Sequence, residues 1–380
     1  MKVYLDNGAT TMTDPQVSDT MAKYFTEVYG NASSLHSFGK SAKEALDISR
    51  RIIADSFNAD SREIIFTSGG TESDNLAIKG VARALKDKGN HIITSKIEHP
   101  AVLNSCKSLE KEGFRITYLD VDENAFIDLN QLKESITAET ILVTLMHANN
   151  EVGTIQPIRR IGQICKDNNI IFHTDAVQSY TKVDIDTKKI PVDLISISSH
   201  KIHGPKGVGA LYIKKGTPLT KLSDGGSHEF DVRAGTENIS GIVGFAKSVD
   251  LSTPEHIKLQ NRLKDQLIDG IQRSIPDTVL NGPRDNRLCS NINISFRYIE
   301  GESLLMHLDM KEIAVSTGSA CSSKKLEPSH VLLAMGIRPE HAHGSIRFTI
   351  SRFTTKEEID YTIDTLKPIV EKLRAISPLK

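Results

Sequence analysis

Between residues 62 and 198 the chain repeats one pattern: a short β-branched apolar run, a polar turn, then a segment with apolar residues at helical spacing. The runs cover 62–67, 91–95, 115–119, 141–147, 170–174 and 194–198. Between them, Thr71 starts a helix with Ala77, Val81, Ala84 and Leu85 on one face, and further helices are predicted over 100–112, 129–135 and 158–167. A repeated strand-then-helix order predicts an α/β fold with a mainly parallel sheet covered by helices on both faces.

The flanks read differently. Ahead of the repeat come a short strand at 3–5 and a polar segment at 6–11. Asp14-Pro15 then opens a helix that runs to about Tyr29 and stops at Gly30, and a second helix covers 40–57. Thr253-Pro254 starts a long amphipathic helix carrying Ile257, Leu263, Leu267 and Ile271. Beyond it, strands at 291–296, 313–316 and 346–350 mix with helices in a smaller α+β arrangement. A chain of 380 residues exceeds one typical core. The expected division is a large domain over 14–253 and a small one built from 1–13 and 254–380.

Composition closes off several classes of function. A net charge of −1 gives no electrostatic footprint for nucleic acid. No apolar run approaches the ~20 residues of a membrane-spanning helix. The opening Met1-Lys-Val-Tyr-Leu-Asp6 turns polar too soon for a signal peptide, so the expected compartment is the cytoplasm. Cys106, Cys165, Cys289 and Cys321 lie far apart with no CxxC pair, which excludes a zinc ribbon and predicts free thiols.

Polar residues gather where the predicted strands end. Lys201 follows the run 194–198 and precedes a turn rich in Gly204, Pro205, Gly207 and Gly209, after which a strand covers 210–214. A lysine straight after a buried strand is partly desolvated, which frees its amine to hold a carbonyl cofactor as a Schiff base. A surface lysine in a hairpin turn is the plainer alternative. The turn Thr67-Ser-Gly-Gly-Thr-Glu-Ser73 joins a strand to a helix start and suits a phosphate, although Thr71 could simply cap the helix. Asp175 ends the run 170–174, either as an N-cap or as a carboxylate facing a pyridinium nitrogen. His99, Asn150 and Gln178 lie in the same positions relative to their strands, and open α/β sheets bind ligands at such edges. Cys321 lies among the small residues of Ser316-Thr-Gly-Ser-Ala-Cys-Ser-Ser-Lys-Lys325, which reads as a loop presenting an exposed nucleophile. Arg347 suits a substrate carboxylate, or else pairs with a neighbouring acid.

Five of these stretches, in order, resemble the cysteine desulfurases of the Nif/Isc group, pyridoxal-phosphate enzymes of the class V aminotransferase type. They are 67–75 (Thr-Ser-Gly-Gly-Thr-Glu-Ser-Asp-Asn), 147–153 (His-Ala-Asn-Asn-Glu-Val-Gly), 173–178 (His-Thr-Asp-Ala-Val-Gln), 198–207 (Ser-Ser-His-Lys-Ile-His-Gly-Pro-Lys-Gly) and 316–323 (Ser-Thr-Gly-Ser-Ala-Cys-Ser-Ser). The resemblance implies a fold-type-I large domain with a seven-stranded, mainly parallel sheet. It implies Lys201 as the cofactor's attachment point, Asp175 at the ring nitrogen and His99 stacked on the ring. Gln178 and Asn150 would contact the ring hydroxyl side. Gly70, Thr71, Ser198 and His200 would bind the phosphate, joined by Thr236 from the partner subunit of a homodimer. Arg347, assisted by Asn150, would take the carboxylate of L-cysteine. Lys201 would then act as base, and Cys321 would collect the sulfur as a persulfide, leaving L-alanine. The sulfur would pass to an acceptor such as an iron–sulfur scaffold, or toward tRNA thiolation. No resident metal is implied, Cys321 at most ligating a cluster in passing. A selenocysteine lyase, another class V aminotransferase or a non-catalytic sulfur-relay protein are the alternative readings. Gly70 stands where the family often has alanine, His203 where it often has tyrosine, and Ala32 where it often has proline.

Overall fold

A computed structural model describes residues 1–317 and 328–378. The chain opens with β1 (Val3–Tyr4), α1 (Pro15–Thr26) and α2 (Ser37–Asp55). The Asp14 side chain caps α1 by accepting the Gln16 N–H at 2.9 Å. The alternating stretch then gives β2 (Ile64–Thr67), α3 (Gly70–Ala84), β3 (His91–Ser95), α4 (Pro100–Lys111), β4 (Arg115–Leu119), α5 (Leu129–Ser135) and β5 (Thr140–Thr144). It continues through α6 (Ile158–Asp167), β6 (Ile171–Asp175), β7 (Leu194–Ser198) and β8 (Gly209–Ile213). Next come α7 (Ile239–Asp250), α8 (Pro254–Ser274), β9 (Thr278–Leu280), β10 (Asn291–Phe296), α9 (Gly301–Asp309) and β11 (Ile313–Ala314). The described chain ends with α10 (His330–Ala334), α11 (Pro339–Ala342), β12 (Ser345–Thr349) and α12 (Lys356–Ile376).

Most boundaries fall within about three residues of where the sequence pattern puts them, and two of the shifts have visible reasons. Helix α1 stops at Thr26 rather than near Tyr29, because the chain bends to bring Gly30 against α2. A Cβ at Gly30 would lie only 2.2 Å from the Phe38 carbonyl oxygen. Strand β5 ends at Thr144, three residues early. The Met146 N–H leaves the ladder and donates to the Glu98 carboxylate at 3.0 and 3.1 Å.

Seven strands form one sheet in the order β2-β8-β7-β6-β5-β3-β4. Strands β7, β6, β5, β3 and β4 are mutually parallel, and β8 runs antiparallel between β2 and β7. The reversal follows from the short glycine-rich connection after β7, which has no room for a crossover helix. Strands β3, β5 and β7 are buried along their whole length, as expected where helices cover both faces. Because β4 lies outside β3 while β5 returns on its other side, the chain direction switches between β3 and β5. That leaves a crevice at the strands' C-terminal ends.

A second assembly holds the antiparallel sheet β12-β10-β9 and the parallel pair β1-β11. Its core joins Leu263, Leu267 and Ile271 of α8 to Ile292, Ile294, Phe348 and Val370, and includes Val3 and Leu5 from the N-terminus. A smaller cluster links the two assemblies. In it Ile97, Met146 and Val152 pack against Val331, Leu332 and Met335.

Candidate active site

Side chains alternate along a strand, so His173 and Asp175 share one face of β6. Register pairs Asp175 with Ser196, which puts Ser196 and Ser198 on the matching face of β7. Helix α3 covers this face, bringing Asp74 to 3.7 Å from His173 Nε2. Lys201 ends the single 3-10 turn Ser199–Lys201 that follows β7. Its Nζ donates to the carbonyl oxygens of Gly8 (2.5 Å) and Ala9 (2.7 Å), and Gln178 Nε2 donates to the same Gly8 oxygen at 3.0 Å.

Asp175 is buried, and Oδ1 accepts the Val177 N–H at 2.9 Å, so the plain capping role is real. Burial raises its proton affinity, while His99 and Lys201 oppose that rise. His99 likewise caps α4, Nδ1 accepting the Ala101 N–H at 3.1 Å, which leaves Nε2 to carry the neutral ring's proton. Burial holds His99 below the ordinary imidazole value, against the pull of Asp175. Lys201, Asp175 and His99 therefore feel one another's charge; the structure brings the three together.

The turn between β2 and α3 is shaped for an anion. Gly69 holds φ +153° and ψ −179°, a backbone conformation that is essentially closed to residues with a Cβ. No side chain caps α3, because its N-cap is Gly69; Glu72 in the first turn accepts the Ser68 N–H at 2.7 Å and pairs with Arg233 at 2.8 Å. Beside this helix start, the Ser198 hydroxyl is buried without a hydrogen-bond partner. A buried hydroxyl with no partner marks a place where a ligand supplies one. A Cβ at Gly70 would sit 2.6 Å from Val177 Cγ2, so glycine there makes room for the Val177 side chain. His200 Nδ1 meets Thr10 Oγ1 at 3.1 Å, and burial pushes its pKa down to about 4.

At the other end of the crevice Arg347 is buried and pairs with Asp6 (Nη2 to Oδ1, 3.0 Å), while Nη1 donates to the Asn150 carbonyl oxygen at 3.2 Å. The neighbouring-acid alternative for Arg347 is thus realised, yet its Nε remains buried and without a partner. Thr236 is exposed, three residues after the Arg233 that ties its loop to α3. His203 donates its backbone N–H to Thr11 Oγ1 at 2.8 Å and sets its ring edge-on to Phe353, filling the place of the family's tyrosine. Cys321 lies outside the described residues. The residues flanking its stretch attach to the same region: the Arg347 N–H donates to the Ser316 carbonyl at 2.7 Å, and the Ser329 hydroxyl bonds to Glu151.

Sequence reasoning assigned no role to Asp6, Asp74, Glu98 or Glu151. Nothing in the residue pattern marks Asp74, Glu98 and Glu151 as buried, or Asp6 as the half-buried partner of Arg347. Burial raises the Glu98 pKa to about 8 and that of Glu151 to about 7. Among the described residues no cluster suits a metal ion, and no helix is long and apolar enough to cross a membrane.

A family model for class-V aminotransferases matches residues 3–362. The cysteine desulfurase IscS of Dictyoglomus turgidum is 54% identical over 382 residues, covering 100% of this chain and 97% of the relative. That of Methanosarcina thermophila is 52% identical, covering 99% and 94%. Among solved structures, a NifS-like protein superimposes with a TM-score of 0.92 at 37% identity, over 98% of this chain and 100% of that one. SspA in complex with cysteine gives 0.85 at 35% identity, over 93% and 100%. The chain belongs to the pyridoxal-phosphate-dependent class-V aminotransferase family and, within it, to the cysteine desulfurases.

Proposed function

We propose that the protein takes sulfur from L-cysteine, releases L-alanine, and leaves the sulfur on Cys321 as a persulfide for an acceptor protein. The observation that carries the residue roles is the meeting of Lys201, Asp175 and His99 at one sheet edge, beside an uncapped helix start and the unpartnered buried hydroxyl of Ser198. Pyridoxal phosphate fits that set. Ser198, His200 and the first N–H groups of α3, at Gly70 and Thr71, suit its phosphate, and Asp175 suits its ring nitrogen. When bound, the cofactor supplies an electron sink next to the substrate's α-carbon.

The protein's own groups do the rest. Lys201 Nζ would hold the cofactor and, when free, would move the substrate's α-proton. His99 would hold the cofactor's face and hand on protons through Nε2. Gln178 and Asn150 orient the ring's hydroxyl side. Arg347 receives the substrate carboxylate, its unpartnered Nε being the donor left to do so. The Cys321 thiolate attacks the substrate sulfur. An S–S bond forms, the C–S bond breaks, and its electron pair stays on carbon, which is protonated and leaves as alanine. SspA's complex with cysteine supports that substrate.

The proposal extends to assembly. Thr236 is offered outward, and Phe25, Tyr29, Leu35 and Phe38 are exposed, which suits a second copy that completes the phosphate site. The likeness to proteins named IscS supports an iron–sulfur scaffold as acceptor, with tRNA thiolation as the other outlet. The described cysteines are free thiols, in keeping with the cytoplasm. We assign cofactor binding to residues 14–253 and carriage of the Cys321 stretch to residues 1–13 and 254–380. Borohydride reduction followed by peptide mapping tests the attachment. A pyridoxyl group on the Lys201 peptide is expected; its arrival on another lysine would overturn these roles.

A further inference from the structure

Asp74 is almost wholly buried beneath the site, in the second turn of α3. Its Oδ1 has no hydrogen-bond partner and lies 3.7 Å from His173 Nε2. His173 is itself fully engaged: Nδ1 meets Thr144 Oγ1 at 2.8 Å and Nε2 meets Ser196 Oγ at 2.9 Å. Ser196 also lies within reach of the Asp74 carboxyl. The five residues Thr144, His173, Ser196, Asp74 and Asp175 therefore make one buried polar strip, on the sheet face that ends at Asp175.

The strip contains two carboxyl groups but unequal compensation. Asp175 has Lys201 and His99 beside it, whereas the other charged groups acting on Asp74 are Asp175 and Glu98, both acids. His173 cannot serve as a cation, since burial pushes its pKa down to about 3. A carboxylate buried without a counter-charge is costly, and of two neighbouring acids the less compensated keeps its proton.

We infer that Asp74 is a positioning residue that enters the strip as a neutral carboxylic acid, donating a hydrogen bond to the His173–Ser196 pair and leaving Asp175 the one anion on this face. Each proton then has one place: Asp74 O–H to Ser196 Oγ, Ser196 O–H to His173 Nε2, and His173 Nδ1–H to Thr144 Oγ1. Burial, first, and the Asp175 charge raise the proton affinity of Asp74, and outweigh the hydrogen bond from Ser196 that opposes them. The consequence is a fixed rotamer for His173 and Ser196 under Asp175, with no second negative charge competing for Lys201.

The inference rests on Asp175 facing the cofactor, so the test separates the two claims. Infrared difference spectra of wild-type against D74N holoenzyme at neutral pH read Asp74 alone. A carboxylic-acid C=O band lost in D74N is expected, and a carboxylate band lost instead overturns the inference even if Asp175 does its assigned work. In parallel, the pH profile of the cofactor's absorbance is compared for wild type, D74N and D74L. D74N keeps a donor and adds no charge, so its midpoint should stay within about 0.3 pH unit of wild type, while D74L should lose roughly tenfold or more in cofactor affinity. A D74N midpoint displaced by about one pH unit would mean that a real charge had been removed, and would refute the inference without needing D74L to fold.

Discussion

Replacing Glu229 with alanine should release the loop that carries Thr236 while the rest of the chain stays folded. Glu229, Phe230 and Asp231 hold φ of 45°, 56° and 64°, three successive non-glycine residues in the left-handed region. Such positions cost about 1–3 kcal/mol each, so the turn stores roughly 3–9 kcal/mol. It persists because Glu229 is clamped. Arg50 donates Nη1 to Oε2 at 2.6 Å and Nη2 to Oε1 at 2.7 Å, and the Phe66 N–H adds a third bond at 2.7 Å. The guanidinium sits between the rings of Phe66 and Phe230, at 4.7 and 5.0 Å from their centroids. Removing one partner of a buried pair costs about 3–5 kcal/mol. Strain of the same size is then relieved if the loop swings out and lets water reach Arg50, so local release is favoured over global unfolding. In E229A, limited proteolysis should cut near 226–236, and apoenzyme titrated with pyridoxal phosphate should bind about tenfold or more weakly, as expected for losing one hydrogen bond to a charged phosphate. Wild-type protease resistance together with wild-type cofactor affinity would refute the claim that this pair holds the loop.

Three further outcomes follow from the same geometry. S198A deletes a buried hydroxyl that has no partner inside the protein, so it should leave stability nearly unchanged yet weaken cofactor binding by about ten- to a hundredfold, measured by absorbance titration. R347K keeps the charge beside Asp6 but loses the fork, so KM for L-cysteine should rise by at least about tenfold with kcat less affected; an unchanged KM would remove Arg347 from the substrate site. Stability should be greatest at roughly pH 5–7. His91, His147 and His173 have folded pKa values of about 4, 4 and 3 against 6.5, so the unfolded chain binds more protons below pH 6.5 and stability falls on acidification. Glu98 and Glu151, at about 8 and 7 against 4.5, make the folded chain bind more protons between those limits, so stability falls as pH rises through them. Melting curves of E98Q against wild type should show a flatter alkaline side.

Much of this was legible in the residues, for a physical reason. Strands at 91–95 and 194–198 are buried along their whole length, and a residue that ends such a strand must emerge at the sheet's C-terminal edge. Lys201, Asp175, His99 and Asn150 could therefore be placed from their positions alone. The partners that finish the site were not legible. Asp6 meets Arg347 across 341 positions of sequence, and Arg50 meets Glu229 across 179, distances over which no local pattern carries information. Asp74, Glu98 and Glu151 look like surface acids in a sequence, and only packing reveals them as buried. The early end of β5 has the same origin, because it depends on where the Glu98 carboxylate lies.

The central claim is that an amine at the sheet edge activates L-cysteine and that Cys321 takes the sulfur. The most direct measurement is mass spectrometry of the holoenzyme after incubation with L-cysteine, with alanine counted in the same sample. One added sulfur atom on the Cys321 peptide, matched by one alanine and lost in both K201A and C321S, is the predicted result. Sulfur found instead on Cys106, Cys165 or Cys289, or alanine formed at the wild-type rate by C321S, would contradict the account.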